Sequence, residues 1–239
     1  MKNSKNIIKI LAALTILSAC GKVDVSNVVH REDMITYEAS DIVSKDTTDL
    51  GKIIDHAMKQ TEQDTQYDGS YVSIGYPGGD PGYQQGVCTD VVIRALRVAD
   101  IDLQELIHKD MKKNLDVYRI RKRIKHVDKN IDHRRTQNIQ SYLTRLDAGI
   151  ERPDNMSDYK PGDILFWDIA NGHTGIVVKS KYDSRHLVVH NIGSGAKQED
   201  LLTWEPVEVY RLTDEIIKKM QKDCNFKYDS AKDFVRHAQ

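Results

Sequence analysis

Residues 85–97 read Gln-Gly-Val-Cys-Thr-Asp-Val-Val-Ile-Arg-Ala-Leu-Arg, and the predicted fold is organised around them. From Cys88 onward, apolar residues recur at the three- and four-residue spacing of a helix that packs one face against a core. The preceding residues 78–82 (GGDPG) are turn-formers that cannot extend this helix backwards. We therefore expect a helix that begins at Cys88, with the thiol in its first turn.

A thiol in the first turn of a helix is a candidate nucleophile. The unpaired N–H groups and the helix dipole stabilise an anion there, so the position predicts a pKa for Cys88 below the value of about 8.5 of a free cysteine. Asp90 in the same turn has an ordinary structural explanation, because the dipole also favours acidic side chains. The alternative for Cys88 is a small buried hydrophobe, since free cysteine is among the most buried residue types.

The N-terminus has the layout of a secretory signal, with lysines first, then an apolar run and small residues. Residues 17–21 (LSACG) resemble the lipobox of bacterial lipoproteins, in which cleavage exposes a cysteine, here Cys20, for lipid attachment. We expect a signal peptide over 1–19, a lipid-anchored tether over 20–46, a domain over 47–212, and a C-terminal helix and tail over 213–239. The expected location is the bacterial cell envelope, facing the periplasm, with the outer membrane favoured where one exists.

Net charge and cysteine content bear on the binding partners and on possible disulfides. The formal net charge is −1, and no acidic residue precedes residue 20, so removal of the signal makes the chain more acidic. This balance does not suggest nucleic acid as a partner. After lipidation, Cys88 and Cys224 remain, and an oxidising envelope would allow them to form a disulfide. The polar, lysine-rich surroundings of Cys224 disfavour that pairing without excluding it.

The order of the predicted elements indicates an α+β protein. Helical stripes of apolar residues come first, at 50–58, 88–99, 103–111 and 139–146. From Pro161 the pattern changes to that of strands, at 164–167, 174–178, 187–192 and 207–210, and a further amphipathic helix follows Thr213. Helices followed by a mostly antiparallel sheet are typical of the α+β class.

Two histidines lie at the ends of predicted strands. His173 opens the second strand and His190 closes the third. If these strands are neighbours, both side chains lie at one end of the sheet, where a helix N-terminus would present Cys88. A nucleophilic thiol needs a base within hydrogen-bond reach, and the imidazole needs a third polar group that fixes its tautomer.

Two other interpretations of these histidines stay open. Each is explained equally well, taken singly, as a structural or merely exposed residue. A zinc site formed by Cys88, His173 and His190 is chemically reasonable, but no CxxC or HExxH spacing supports it. We therefore expect neither a metal nor another cofactor.

The region from Arg119 to Arg135 is densely basic. A run of charge is most often a solvated face. The sharper hypothesis concerns Arg134 and Arg135, because guanidinium groups bind carboxylates in a bidentate manner and would hold an acidic substrate.

Six motifs occur together in this chain: YPGGD at 76–80, GVCTDVVIRA at 86–95, NIDHRR at 130–135, PGDI at 161–164, HTGIVV at 173–178 and HNIGSG at 190–195. In this order they resemble the bacterial family called domain of unknown function 1287. They are similar, more distantly, to the NlpC/p60-type cell-wall cysteine peptidases. The resemblance covers residues 50–212 and implies a papain-like fold, with a Cys-bearing helix packed on a small, mostly antiparallel sheet.

The resemblance also implies roles for individual residues. Cys88 would be the nucleophile, His173 the general base, and His190 the group that orients the imidazole. One departure is that Val87 and Thr89 flank the cysteine where the distant relatives have aspartate and serine.

Further residues would support these three. Tyr76 falls where those peptidases often keep a tyrosine near the oxyanion, and Tyr71 competes with it for this role. Asn191 competes with His190 for the third position. The backbone N–H of Cys88 would help to hold the developing negative charge.

These expectations define an envelope thiol hydrolase, a cysteine peptidase or amidase, that acts on amide bonds in peptidoglycan stem peptides. A lipid anchor would hold it at the membrane near the wall, and Arg134 and Arg135 would suit acidic stem peptides. The alternative is a non-catalytic wall-binding module on the same fold. Acyl transfer to an amine cannot be separated from hydrolysis by sequence.

Overall fold

Helices occupy much of the first half of the chain and strands much of the second, in a computed structural model that describes residues 46–121, 126–200 and 203–232. The α-helices are Asp49–Lys59 (α1), Cys88–Arg97 (α2), Leu103–Arg121 (α3), Thr136–Arg145 (α4) and Asp214–Asp223 (α5). The helix predicted to begin at Cys88 is confirmed. The predicted signal peptide, Cys20 and nearly all of the tether lie outside the described residues. Within the described ranges, no helix has both the length and the apolar character needed to cross a bilayer.

Six strands form one antiparallel sheet, and they are Gly149–Ile150 (β3), Ile164–Trp167 (β4), His173–Lys179 (β5), His186–Asn191 (β6), Ala196–Asp200 (β7) and Glu208–Tyr210 (β8). Their order in the sheet is β3-β8-β4-β5-β6-β7. Two further short strands, Gln66–Tyr67 (β1) and Gln85–Gly86 (β2), pair with each other in parallel. The α+β class predicted from the sequence is confirmed.

The two faces of the sheet contact different sets of residues. Ile164, Ile176 and Val189 face the main core, to which α1–α5 contribute. Trp167 belongs to a second, smaller cluster on the other face, and it lies opposite His173 in the β4–β5 register. Because side chains alternate along a strand, His173 projects from the face that carries Trp167.

Helix α2 packs as the apolar stripe of the sequence predicts. Val91, Val92, Ala95 and Leu96 are all buried in the main core. The direction of this packing follows from the helical spacing, since these residues share one face of α2. The first turn of α2, which carries Cys88, is therefore part of a helix that is anchored in the main core.

The folded part of the chain extends beyond residue 212, where the predicted domain ends. Ile216 and Met220 of α5 are buried in the main core. The chain after α5 is held by Glu105 of α3, whose carboxylate accepts the backbone N–H groups of Asn225 at 3.0 Å and Phe226 at 2.9 Å. The C-terminal helix is therefore part of the same core.

Candidate active site

The first turn of α2 is fixed by a buried carboxylate. Asp90 accepts the backbone N–H of Val87 at 2.7 Å, which satisfies one donor that the helix itself leaves unpaired. Its two oxygens also accept Nε and Nη2 of Arg134, each at 2.9 Å. Both side chains of this ion pair are almost completely buried, with exposed fractions of 3% and 2%.

This ion pair corrects the prediction for Arg134. The guanidinium is engaged by Asp90 and by the backbone carbonyls of Asp68 and Ser70, so it is not available to an acidic substrate. Its role in the structure is to hold the first turn of α2. Arg135 is exposed, and its proposed contact with substrate stays a prediction.

His173 and His190 are brought together as predicted. Nε2 of His173 lies 2.8 Å from Nδ1 of His190, and both side chains are buried. The pKa of His173 is lowered to about 4, first by burial and second by the neighbouring His190. Burial also lowers the pKa of His190, and the nearby Glu199 carboxylate opposes that shift. Both rings are therefore neutral at pH 7.

Cys88 lies at the same end of the sheet. The backbone N–H of Thr174, the residue directly after His173, interacts with the sulfur and favours its thiolate. Helix α2 packs on the sheet face opposite to the two histidines, and its first turn lies where β5 begins. Nε2 of His173 is already occupied by His190, so Nδ1 is the ring nitrogen that remains for the thiol.

The expected low pKa of Cys88 is wrong for this structure. The side chain is only 4% exposed, and burial raises the pKa of the thiol to about 11. Asp90 adds to this increase, whereas the N–H groups of Thr174, Thr89 and Cys88 itself lower the pKa. Desolvation thus outweighs the helix terminus. At rest, the thiol of Cys88 and the imidazole of His173 are therefore both neutral at pH 7.

Two tryptophans surround the histidine pair. The ring centroid of Trp167 lies 5.5 Å from that of His173, and the centroid of Trp204 lies 5.7 Å from that of His190. Nε1 of Trp167 donates to the backbone carbonyl of Trp204 at 2.9 Å, which ties the two segments together. These apolar walls explain why the imidazoles favour their neutral form. The sequence around these tryptophans gives no local sign that they line a site, because Trp204 reaches the histidines only through the order of the strands.

The tyrosine beside the thiol is Tyr67. It pairs with Gly86 in the β1–β2 register, two residues before Cys88. Burial raises the pKa of its phenol, and Cys88 and Asp90 raise it further through their charges, whereas Arg134 lowers it. The ring is 47% exposed and therefore accessible from solvent.

Tyr71 and Tyr76, the predicted tyrosines, are engaged elsewhere. The hydroxyl of Tyr71 bonds to Asp128 and Asn130, at 3.1 and 2.9 Å. The ring of Tyr76 packs edge-on against His108, with centroids 5.1 Å apart. Tyr67 therefore replaces both as the candidate for the oxyanion.

Asn191 holds the segment before the cysteine. Its Nδ2 donates to the backbone carbonyl of Gly86 at 3.3 Å, and its Oδ1 accepts the N–H of Gly193 at 3.1 Å. His190, and not Asn191, contacts the ring of His173. His190 is therefore the better placed of the two candidates for the third position.

The glycine-rich motif before α2 is held to that helix by a second, partly buried charge cluster. Asp80 accepts both Nε and Nη2 of Arg94, at 2.9 and 2.7 Å, and Nη1 of Arg97 at 3.3 Å. Gly79 approaches the carbonyl of Gly75 so closely that a Cβ atom would lie 2.1 Å from that oxygen. This motif is thus explained by packing alone.

Two alternatives from the sequence analysis can be compared with the structure. Cys88 and Cys224 are both free thiols, so the disulfide that the sequence left open is absent between these two described residues. Cys224 instead donates to Glu105 and accepts the N–H of Asp102. In the described ranges, no group of three or more His, Cys, Asp and Glu side chains is arranged to hold a metal ion.

Comparison with known proteins identifies relatives without naming a reaction. The family described as a domain of unknown function (DUF1287) matches residues 54–212. A protein of Escherichia coli (strain K12), named "Uncharacterized protein YijF", is 45% identical over 163 residues, which cover 66% of this chain and 80% of that protein. No solved structure matches the chain.

Proposed function

Because the chain belongs to the DUF1287 family, whose description names no activity, we propose a function from the site itself. It is a thiol hydrolase of the bacterial envelope that cleaves amide bonds in peptidoglycan stem peptides. The observation that carries this proposal is the 2.8 Å contact between His173 and His190 at the end of the sheet where Thr174 meets the Cys88 sulfur. A base with its own orienting partner beside a thiol is the arrangement that nucleophilic catalysis requires.

The proposed fold is papain-like, of the NlpC/p60 type. A helix that starts at the cysteine and packs on an antiparallel sheet, with histidines on two adjacent strands, agrees with that resemblance. The proposed lipid anchor at Cys20 would keep the domain at the membrane, within reach of the wall.

The first chemical step starts from neutral partners. When substrate binds, the S–H bond of Cys88 breaks, its proton passes to Nδ1 of His173, and the sulfur forms a bond to the amide carbonyl carbon. The carbonyl oxygen becomes an oxyanion, which the backbone N–H of Cys88 and the hydroxyl of Tyr67 are suited to stabilise.

The second half regenerates the enzyme. The protonated His173 gives its proton to the departing amine as the C–N bond breaks, which leaves a thioester on Cys88. Water then loses a proton to His173 and attacks the thioester carbon. The C–S bond breaks, the acid product leaves, and His173 returns the proton to the sulfur, which restores the thiol. An amine in place of water would give transfer, with the same residues in the same roles.

Burial of the thiol favours one competing function. A cysteine that is 4% exposed and whose pKa is raised to about 11 also fits a wall-binding module that performs no turnover. Such a module would keep the fold and bind stem peptides, and alkylation of Cys88 would leave that binding intact.

Digestion of purified muropeptides distinguishes the two functions. We expect the purified protein to release stem-peptide fragments whose masses show the addition of one water per cleaved amide, and prior alkylation of Cys88 to stop this release. Products that carry an added amine would identify transfer. Binding of muropeptides without any change in their mass would contradict the hydrolase and support the module.

A further inference from the structure

His190 has a buried ring nitrogen that needs a partner. Its side chain is 1% exposed, and Nε2 has no aligned hydrogen bond to any residue that the structure describes. A buried polar group left unpaired costs about 1–3 kcal/mol. The position of Nε2 therefore calls for an acceptor or donor close by.

Glu199 of β7 is the group beside that nitrogen. Its Oε2 lies 3.3 Å from Nε2 of His190, at ion-pair distance although not aligned as a hydrogen bond. Glu199 lies on the same sheet face as His190, because the residue opposite His190 in the register is Lys197, two positions earlier. The glutamate is 34% exposed, so its carboxylate has room to rotate into line.

A carboxylate at this position fixes where both protons lie. An ionised carboxylate only accepts hydrogen bonds, so Nε2 of His190 must carry the proton and Nδ1 must be a lone pair. The contact of 2.8 Å then requires Nε2–H of His173 to donate to that lone pair. Nδ1 of His173 is left unprotonated, which is the state that can take a proton from Cys88.

The opposite arrangement would disable the base. If His190 carried its proton on Nδ1, it would donate to Nε2 of His173, and the neutral His173 ring would then carry its proton on Nδ1. A protonated Nδ1 cannot accept the thiol proton. The choice between these two arrangements depends on which group faces Nε2 of His190.

We propose that Glu199 is a positioning residue that sets the tautomers of His190 and His173 and so keeps His173 competent as a base. The inference rests on the proposed function for its catalytic meaning, while the tautomers themselves do not depend on it. Glu199 receives no proton during the reaction. It stabilises, through His190, the positive charge that His173 gains when it takes the proton from the Cys88 S–H bond.

The direct test is the ¹⁵N NMR spectrum of the histidine rings in the full-length protein, in wild type and in Glu199→Gln and Glu199→Ala. In wild type we expect both rings to be neutral and protonated on Nε2. Glutamine can turn either its N–H group or its carbonyl oxygen toward Nε2, so Glu199→Gln is expected to mix the Nδ1- and Nε2-protonated forms of both rings. Alanine leaves Nε2 of His190 without an acceptor, so Glu199→Ala is expected to show a mixture of tautomers in both rings.

Kinetics on muropeptides provides the second measurement. Loss of a residue that orients a metal-bound histidine costs about 10- to 100-fold, and we expect a loss of similar size here in kcat, with KM little changed. Asp200→Asn is the matched control, because it removes the same charge from the neighbouring residue on the opposite face of β7. The control should keep the wild-type tautomers and the wild-type kcat.

Clear results would overturn the proposal. A His190 ring protonated on Nδ1 in wild type would do so, as would unchanged tautomers and kcat in Glu199→Ala. If the wild-type protein cleaves no muropeptide and yet the tautomers change with Glu199 as described, the hydrolase function fails and the positioning role stands.

Discussion

Replacement of Cys88 by alanine is expected to remove muropeptide cleavage, with a loss in kcat of about 10⁴-fold or more. The reason is that no other group in the site can form the covalent intermediate, and loss of a nucleophile in comparable enzymes costs that much or more. The measurement is the rate of product release from purified muropeptides, followed by mass spectrometry. The change is small in volume, so circular dichroism should show an unaltered fold.

A second cysteine provides the control for this experiment. Cys224 is also buried and free, and burial raises its pKa to about 11 as well, but it lies against Glu105 and Asp102, away from the histidines. Cys224→Ala should therefore keep cleavage within a few-fold of wild type. Cleavage that survives in Cys88→Ala, or is lost equally in both variants, would show that the thiol of Cys88 is not the nucleophile.

Replacement of Arg134 by methionine is expected to have the largest effect on stability. It would leave the Asp90 carboxylate buried without its partner, and breaking a buried ion pair in this way costs about 3–5 kcal/mol. That is a large part of the roughly 5–15 kcal/mol by which a domain of this kind is stable. The measurement is the free energy of unfolding from urea denaturation.

An exposed ion pair gives the matched comparison. Arg185 and Asp183 are 63% and 41% exposed, so Arg185→Met should change the free energy of unfolding by no more than about 1 kcal/mol. Below the unfolding transition, Arg134→Met should retain the KM of wild type. An unchanged stability together with a strongly raised KM would return Arg134 to the substrate-binding role that the sequence suggested.

The elements with regular apolar patterns could be predicted from the sequence. The stripe from Val91 to Leu96 gives α2, and the apolar runs 164–167 and 187–192 give β4 and, within one residue, β6. Strand β7 was missed because its residues from Lys197 to Asp200 are all polar. Its place comes from pairing with β6, which no local pattern contains.

The residues of the candidate site could be predicted where a reactive side chain lies at the end of a predicted strand. His173 and His190 were identified because each lies at the end of an apolar run, and the structure pairs them. Tyr67, Trp204 and Glu199 gave no comparable signal, since each reaches the site through the order of the strands or through a short parallel pairing.

Two errors of the sequence analysis share one cause, which is burial. The helix terminus favours a thiolate at Cys88, but the sequence does not show that the sulfur loses nearly all contact with water, and this desolvation dominates its pKa. The sequence suggests a substrate contact for Arg134 because its partner, Asp90, lies 44 residues away in the chain. A charged residue in a basic run gives no local sign that it is buried.

The central claim is that Cys88 reacts by giving its proton to His173, and the rate of Cys88 alkylation by iodoacetamide against pH tests it most directly. The adduct is read on the peptide that contains Cys88, so that Cys224 does not contribute. In His173→Ala the rate should fall about tenfold for each unit below the thiol pKa of about 11, because only the free thiolate reacts.

Wild type should behave differently on the acid side. When His173 accepts the thiol proton, Cys88 reacts at a rate that does not depend on pH. As the pH is lowered, the alkylation rate should therefore level off, and it should fall again only near the His173 pKa of about 4. The account predicts this plateau in wild type and its absence in His173→Ala. Superimposable profiles for the two proteins would contradict it.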